Sequence, residues 1–330
     1  MSEPVYISSS PHIDSGATTD KIMRDVIYSL IPACAVAIYL FGLSGLKILL
    51  LCTVGCMVFE AACNRIGGKP FSIRDGSAAL TGILLALNLP PSAPWWLALL
   101  GAAIAIVIAK QVYGGLGYNP FNPALVARVV LLISFPVQMT RWTAPTPLFS
   151  GIDAVTAATP LGEWKTAVML TGKLPENLSD GTLNYLTGNM PGSIGEVSAI
   201  ALLLGGLYLL GRKVISWHIP VSFIATTLIF SGIFWLVDPT RYPDPLFHLL
   251  TGGLILGAFF MATDMVTSPV TTKGMLIFGT GCGLLTVLIR LFGSYPEGVS
   301  FAILLMNAAT PLIDRFVKPR VFGTTREVKG

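Results

Sequence analysis

Charge is scarce in this sequence. Only 12% of the residues are Asp, Glu, Lys or Arg, about half the share a water-soluble domain carries, and that shortage excludes water as the main solvent for most of the chain. The net charge of +4 is then no nucleic-acid signal. The basic residues sit at the ends of apolar runs, where they orient helices in a membrane. Histidine occurs three times and cysteine five times. Cys34, Cys52, Cys56, Cys63 and Cys282 all fall inside apolar runs and form no Cys-x-x-Cys or Cys/His group, so the pattern offers no zinc or iron–sulfur centre. Packing of small residues between helices explains them, although Cys52 and Cys56 share a helix face. A Rossmann glycine fingerprint is also lacking, which assigns any nicotinamide site to another polypeptide. So is a cleavable leader: the first 22 residues are polar, and the first apolar run, beginning near Val26, is expected to remain as a helix.

What the sequence has is apolar length. Of its 330 residues, 53% are hydrophobic, and runs of about 20 mostly apolar residues, the length that crosses a bilayer core, recur near 24–42, 46–64, 77–92, 95–113, 122–138, 195–212, 217–237, 246–264, 273–292 and 298–316. The expected class is an all-α polytopic membrane protein of about ten transmembrane helices. The 77–92 run is short and ends in Leu89-Pro90-Pro91, so a tilted, broken or re-entrant segment is expected there. Leu80-Thr81-Gly82 in the first half is echoed by Leu250-Thr251-Gly252 in the second. Five spans per half make this two inverted five-helix repeats, an architecture that places ligands near the midplane between discontinuous helices. The chain divides into an arm (1–22), a first membrane repeat (23–138), a connecting loop (139–194), a second repeat (195–316) and a basic tail (317–330).

Direction follows from Lys and Arg, which short loops retain on the cytoplasmic side. With the N-terminus inside, 14 basic residues fall in the cytoplasm and six outside, those six including Arg141, Lys165, Lys173 and Arg290. Arg128 is left within a span. Both termini are then cytoplasmic, and the 139–194 loop is extracytoplasmic.

That loop contains Asp153-Ala154-Val155-Thr156-Ala157-Ala158-Thr159-Pro160-Leu161. Small residues surround the hydroxyl of Thr159, and Pro160 biases it toward an extended conformation that suits entry into another protein's active site; a plain turn at Pro160 reads equally from these letters. Gly114-Gly115-Leu116-Gly117-Tyr118-Asn119-Pro120-Phe121-Asn122-Pro123-Ala124 meets the fifth span from the cytoplasmic side, where Asn119 and Asn122 either pair with a ring edge or cap the helix. Pro191-Gly192-Ser193-Ile194-Gly195-Glu196 opens the sixth span, as an anion-favouring helix start or as a Ser193–Glu196 capping box. Glu60, Arg128 and Asp264 are ionisable residues within spans, where such groups face protein or water; Glu60 and Asp264 are candidates for an ion pathway. His218 and His248, near span ends, read as interfacial.

With these segments in view, the chain resembles the RnfD/NqrB family, membrane components of Rnf ion-translocating oxidoreductases and of sodium-pumping NADH:quinone oxidoreductases respectively. The resemblance covers essentially all ten spans and rests also on Ser10-Pro11-His12-Ile13, Lys21-Ile22-Met23-Arg24-Asp25 and Phe260-Met261-Ala262-Thr263-Asp264; the short arm is closer to the Rnf member. Asp-x-x-Ser/Thr-Gly/Ala-Ala-Thr is similar to the motif at which a periplasmic flavin transferase joins FMN to threonine through a phosphoester. The resemblance thus implies covalent FMN on Thr159, with Asp153 and Thr156 at the motif's other polar positions and Ala157 where glycine is usual. A second Ser-Gly-Ala-Thr string, Ser15 to Thr18, has His12 in place of the aspartate and lies in the cytoplasmic arm. The resemblance also implies a non-covalent flavin such as riboflavin at Asn119 and Asn122, and makes Ser193 and Glu196 candidates for the flavin phosphate. The implied partners are other Rnf subunits that handle iron–sulfur clusters, ferredoxin, NAD and a second covalent flavin, with Na⁺ or H⁺ as the coupling ion and the bacterial inner membrane as the location. A stand-alone inverted-repeat transporter without cofactor, or a purely structural anchor for redox partners, remains the alternative.

Overall fold

The computed structural model describes residues 18–68, 75–145, 156–175, 181–196 and 198–318. Among these the chain is almost wholly helical, with a single isolated bridge between Thr143 and Thr156. Four helices are long and apolar enough to cross a membrane: α1 (Thr19–Ile66), α9 (His218–Val237), α12 (Thr272–Phe292) and α13 (Val299–Phe316). This fits a polytopic membrane protein. The 48 residues of α1 would measure about 72 Å if straight, more than twice a bilayer core. Gly42, at φ 59° and ψ −140°, breaks the helix near its middle, where the first two expected spans meet.

The other apolar helices are short: α2 (Ser77–Leu87), α3 (Trp95–Ala103) continued by π-helical Ile104–Gln111, α4 (Pro123–Ser134), the single turn α5 (Pro136–Met139), and α8 (Ala199–Gly211). Two further helices, α6 (Pro160–Thr171) and α7 (Thr182–Thr187), lie in the connecting segment. The 246–264 run is discontinuous: α10 (Pro245–Leu250), α11 (Leu254–Leu256) and a π-helical turn Gly257–Met261 are separated by Gly252 and Gly253 at φ 69° and 63°. The interior rests on close approach at small residues, the packing mode open to helices in lipid. α2 presses Gly82 onto α1, where an added Cβ would lie 2.5 Å from Thr53 Cα; α12 meets α9 at Gly283, where it would lie 2.7 Å from the Phe223 carbonyl oxygen.

Helices that stop inside the apolar core must have their last carbonyls satisfied. At the end of α2, Asn88 Nδ2 donates to the Leu84 carbonyl at 2.7 Å, and the Ile194 amide reaches the Leu89 carbonyl at 3.0 Å. At the end of α10, Arg290 from α12 donates to the carbonyls of His248 (2.5 Å), Thr251 (2.8 Å) and Gly252 (3.3 Å). The basic-residue count puts Arg290 on the outer side, near the end of the 273–292 run; it is 0% exposed, because three orphan carbonyls and the nearby Glu196 carboxylate hold the guanidinium inside.

Gly252→Ala is expected to lower the melting temperature of the detergent-solubilised protein. Its methyl would meet Arg290 Nη2 at 2.5 Å on a backbone at φ 69°, at a cost of about 2 kcal/mol or more. Gly211→Ala, whose methyl meets nothing within 4 Å, should melt like the parent.

Candidate functional site

Thr159 is the N-cap of α6. Pro160 follows at the first helical position, where its fixed φ suits a helix start, and Thr159 Oγ1 accepts from the Gly162 amide at 3.1 Å. α6 is anchored at several points. Leu161 packs at Gly252, Trp164 Nε1 donates to the Arg241 carbonyl at 3.1 Å, and the Trp164 ring meets His248 edge-on at 5.5 Å. Lys165 Nζ donates to the carbonyls of Gly293 and Tyr295, and burial lowers its ammonium below the usual lysine range. These contacts set Thr159, itself 3% exposed, on the wall of a cavity of about 360 Å³. Ala157, Ala158, Lys165, Tyr295, Arg128 and Glu297 share the lining. The hydroxyl is therefore recessed rather than presented on an open loop.

The other expected residues are placed unevenly around it. Thr156 is exposed, in the bridge to Thr143, outside the lining. Asp153 lies outside the described residues. Ser193 and Glu196 are buried and bond to each other, Oγ to Oε1 at 3.1 Å, within the 3₁₀ turn Ile194–Glu196. They do not cap the sixth span, which starts at Ala199 with Ser198 as its N-cap, and they do not line the Thr159 cavity. Glu196 instead sits in the fields of Arg128 and Arg290. His248, expected at the interface, is 1% exposed beneath Trp164.

A second cavity, of about 110 Å³, lies between α1, α2, the Gly114–Asn122 segment and the end of the Gly257–Met261 turn, and brings together Asn119, Asn122, Lys110 and Asp264. Asn122 caps α4: its Oδ1 accepts from the amides of Ala124 (3.1 Å) and Leu125 (3.3 Å), and its Nδ2 donates to the Met261 carbonyl at 3.3 Å. Most of its hydrogen-bonding capacity is thus spent on structure. Asn119 uses its Nδ2 on the Phe121 carbonyl at 3.0 Å, which leaves its carbonyl oxygen for the cavity. The Asp264 carboxylate accepts from the Val266 amide (3.4 Å) and Thr267 Oγ1 (3.2 Å). Glu60 takes a bond from Lys110 Nζ at 2.8 Å, and Lys110 donates also to Ser77 Oγ at 2.7 Å. The basic-residue count puts Lys110 on the cytoplasmic side, near the end of the 95–113 run; it is 2% exposed, held in the helix layer by this carboxylate.

The sequence reading misses Asn88 and Glu297 altogether. Arg128 Nη1 donates to Asn88 Oδ1 at 2.6 Å, and Nη2 pairs with Glu297. Asn88 Nδ2 also reaches Met261 Sδ at 3.6 Å. A chain of contacts thus runs from Asn122 through Met261, Asn88 and Arg128, connecting the linings of the two cavities. A complement for the unpaired charge of Arg128 was the available signal, and Glu297, just ahead of the last span, was the carboxylate to consider.

Comparison with known proteins places this architecture. Residues 6–323 match the model of the NQR2, RnfD, RnfE family. In Acetobacterium woodii, the component designated D of the Na⁺-translocating ferredoxin:NAD⁺ oxidoreductase complex is 49% identical over 97% of this chain and 96% of its own length. The component of the same designation in the proton-translocating ferredoxin:NAD⁺ oxidoreductase complex of Clostridium ljungdahlii is 48% identical with the same coverage. Its namesake in the ion-translocating oxidoreductase complex of Halorhodospira halophila is 44% identical over 99% and 97%. With matches of this length and identity, the chain belongs to the NQR2, RnfD, RnfE family.

Proposed function

We propose that this chain is the flavin-carrying membrane subunit of an ion-translocating ferredoxin:NAD oxidoreductase, with FMN esterified to Thr159 and a second, non-covalent flavin beside Asn119. The observation that carries the proposal is the placement of Thr159 on the wall of a cavity of about 360 Å³, within the size range for ligand pockets. The residues fit the group. Thr159 supplies the ester oxygen, the first amides of α6 face an anion attached there, and the cavity accommodates a fused ring. A flavin so bound accepts and donates electrons; the chain's own residues fix the ring and exclude water from it.

The wider reading is of two inverted five-helix repeats, 23–138 and 195–316, joined by an extracytoplasmic loop at 139–194. The 1–22 arm and the 317–330 tail face the cytoplasm of a bacterium whose inner membrane holds the complex. Iron–sulfur, ferredoxin- and NAD-handling subunits and a second covalent-flavin subunit are its partners, and a periplasmic flavin transferase loads Thr159. The coupling ion is Na⁺ or H⁺. Relatives named for each are almost equally similar, at 49% and 48% identity, so overall likeness does not select between them. Glu60 and Asp264 are the acidic residues proposed for its path.

Peptides from the purified complex should include one containing Thr159 heavier by FMN minus water. Thr159→Ala should abolish covalent flavin fluorescence in a denaturing gel while the protein still assembles. Unmodified Thr159 in active complex, or an adduct at Thr18 instead, refutes the assignment.

Asn119→Leu should reduce acid-extractable flavin and leave the covalent signal intact, because one hydrogen bond to a buried ring is worth about 1 to 3 kcal/mol, roughly 5- to 100-fold in binding. Asn122→Asp, which keeps an N-cap acceptor, is expected to have the smaller effect. Two unchanged pools in well-folded Asn119→Leu protein would place the second flavin elsewhere.

In a background without the five native cysteines, Met169→Cys, at a position 78% exposed on α6, should react with an impermeant thiol reagent added to intact cells. Val270→Cys, at a position also 78% exposed but assigned to the cytoplasm, should react only after lysis. The reverse pattern overturns the topology and, with it, loading of Thr159 from outside.

A further inference from the structure

Arg128 and Glu297 form an ion pair on the wall of the cavity that Thr159 also lines, with side chains 7% and 9% exposed. A guanidinium has five N–H donors in a fixed fork. Arg128 commits one on Nη1 to Asn88 and one on Nη2 to Glu297 Oε2. Its Nε–H has no hydrogen-bond partner among the described residues, and neither has Glu297 Oε1. Buried polar atoms in native interiors are paired in the great majority of cases. Here a charged donor and a charged acceptor are left over on the two members of one ion pair, in one cavity. Their complement is a flat ring edge that sets a carbonyl oxygen next to an N–H.

We propose that Arg128 and Glu297 are binding residues for the dione edge of the flavin ring held at Thr159: Arg128 donates to a ring carbonyl, and Glu297 accepts from the imide N–H between the two carbonyls. The proposal rests on the flavin reading of Thr159. Asn88 acts through Arg128 as a positioning residue, since it contacts the guanidinium at 2.6 Å and is absent from the cavity lining. The edge pattern also selects the ring: a flat aromatic without an imide would leave Arg128 Nε and Glu297 Oε1 without hydrogen-bond partners, as they are among the described residues.

The test uses the complete complex in native membranes. In the parent, infrared carbonyl bands of the covalent flavin should lie at lower frequency than those of the same flavin on a Thr159 peptide released by proteolysis; coincident bands overturn the proposal without recourse to any variant. In Arg128→Met/Glu297→Leu, which removes both charges together, the Thr159 adduct should persist by mass. Quenching of the flavin by iodide should rise about fivefold or more as the ring is freed from charged hydrogen-bond partners. Arg128→Lys, which keeps the positive charge but not the planar fork of donors, should fall between the parent and the double variant. Quenching and carbonyl bands like the parent's in an assembled, loaded double variant would make the pair a structural ion pair only. A parent lacking the Thr159 adduct overturns the flavin reading and this inference together.

Discussion

A helix that ends inside an apolar interior leaves carbonyl oxygens with neither water nor a further turn to bond them, and this chain has two such ends. α2 stops at Leu87 and α10 stops at Leu250. The polar apparatus of the interior is organised around them. Asn88 turns back onto the Leu84 carbonyl, Ile194 donates to Leu89, and Arg290 covers the carbonyls after α10. The Ile194–Glu196 turn fits between the two ends because Gly195 lets it approach the Leu87 carbonyl, to which an added Cβ would come within 2.6 Å. The α6 helix docks against the second end, Leu161 lying where a side chain at Gly252 would point. The position of Thr159 is therefore a consequence of how the second break is sealed.

Sealing carbonyls with arginine brings positive charge into an apolar interior, and that charge needs an answer. Arg128 has Glu297, and Glu196 stands in the fields of both Arg128 and Arg290. Two cations and two carboxylates balance. Pairs of this kind contribute little net stability, because desolvation offsets their attraction, yet removing one member typically costs about 3 to 5 kcal/mol by stranding the other. The arrangement is thus retained for geometry more than for strength. Lys110 and Glu60 repeat the pattern next to the other cavity, with Ser77 at the start of α2 taking the remaining bond.

The apolar runs and the first break were legible in the sequence, because both are local: four of the runs fold as helices long enough to cross a membrane, and Leu89-Pro90-Pro91 announces the end of α2, whereas the 246–264 run was read straight through the break at Gly252 and Gly253. The charge network was not legible. Counting Lys and Arg assigns each residue to a side by its place along the chain, and so counted Lys110 and Arg290 as flanking charges at span ends, whereas their partners Glu60 and His248 are 50 and 42 residues away. Moving both inside leaves the basic bias at 13 to 5, so the inferred direction survives the correction. Ser193 and Glu196 failed as a helix start for a related reason. The capping-box spacing is present, but their side chains pair with each other in a 3₁₀ turn, and a second serine, Ser198, takes the cap.

Thr159 shows the same limit from the other side. Its sequence suggested an exposed hydroxyl that a modifying enzyme reaches on a loop; the fold makes it a helix cap 3% exposed. An enzyme that transfers FMN needs the hydroxyl outside the cavity, and α6 is held in place by Trp164, Lys165 and Leu161 against α10 and the Gly293–Tyr295 turn. If Thr159 carries FMN as proposed, modification has to precede that docking or follow a local opening of α6, the kind of sub-global event that surface helices undergo more readily than the core. Under the proposed assignment, docking after modification would also make the cap compatible with an ester: phosphate oxygens would take over the acceptor role of Oγ1 toward the Gly162 amide, at a helix terminus that favours negative charge.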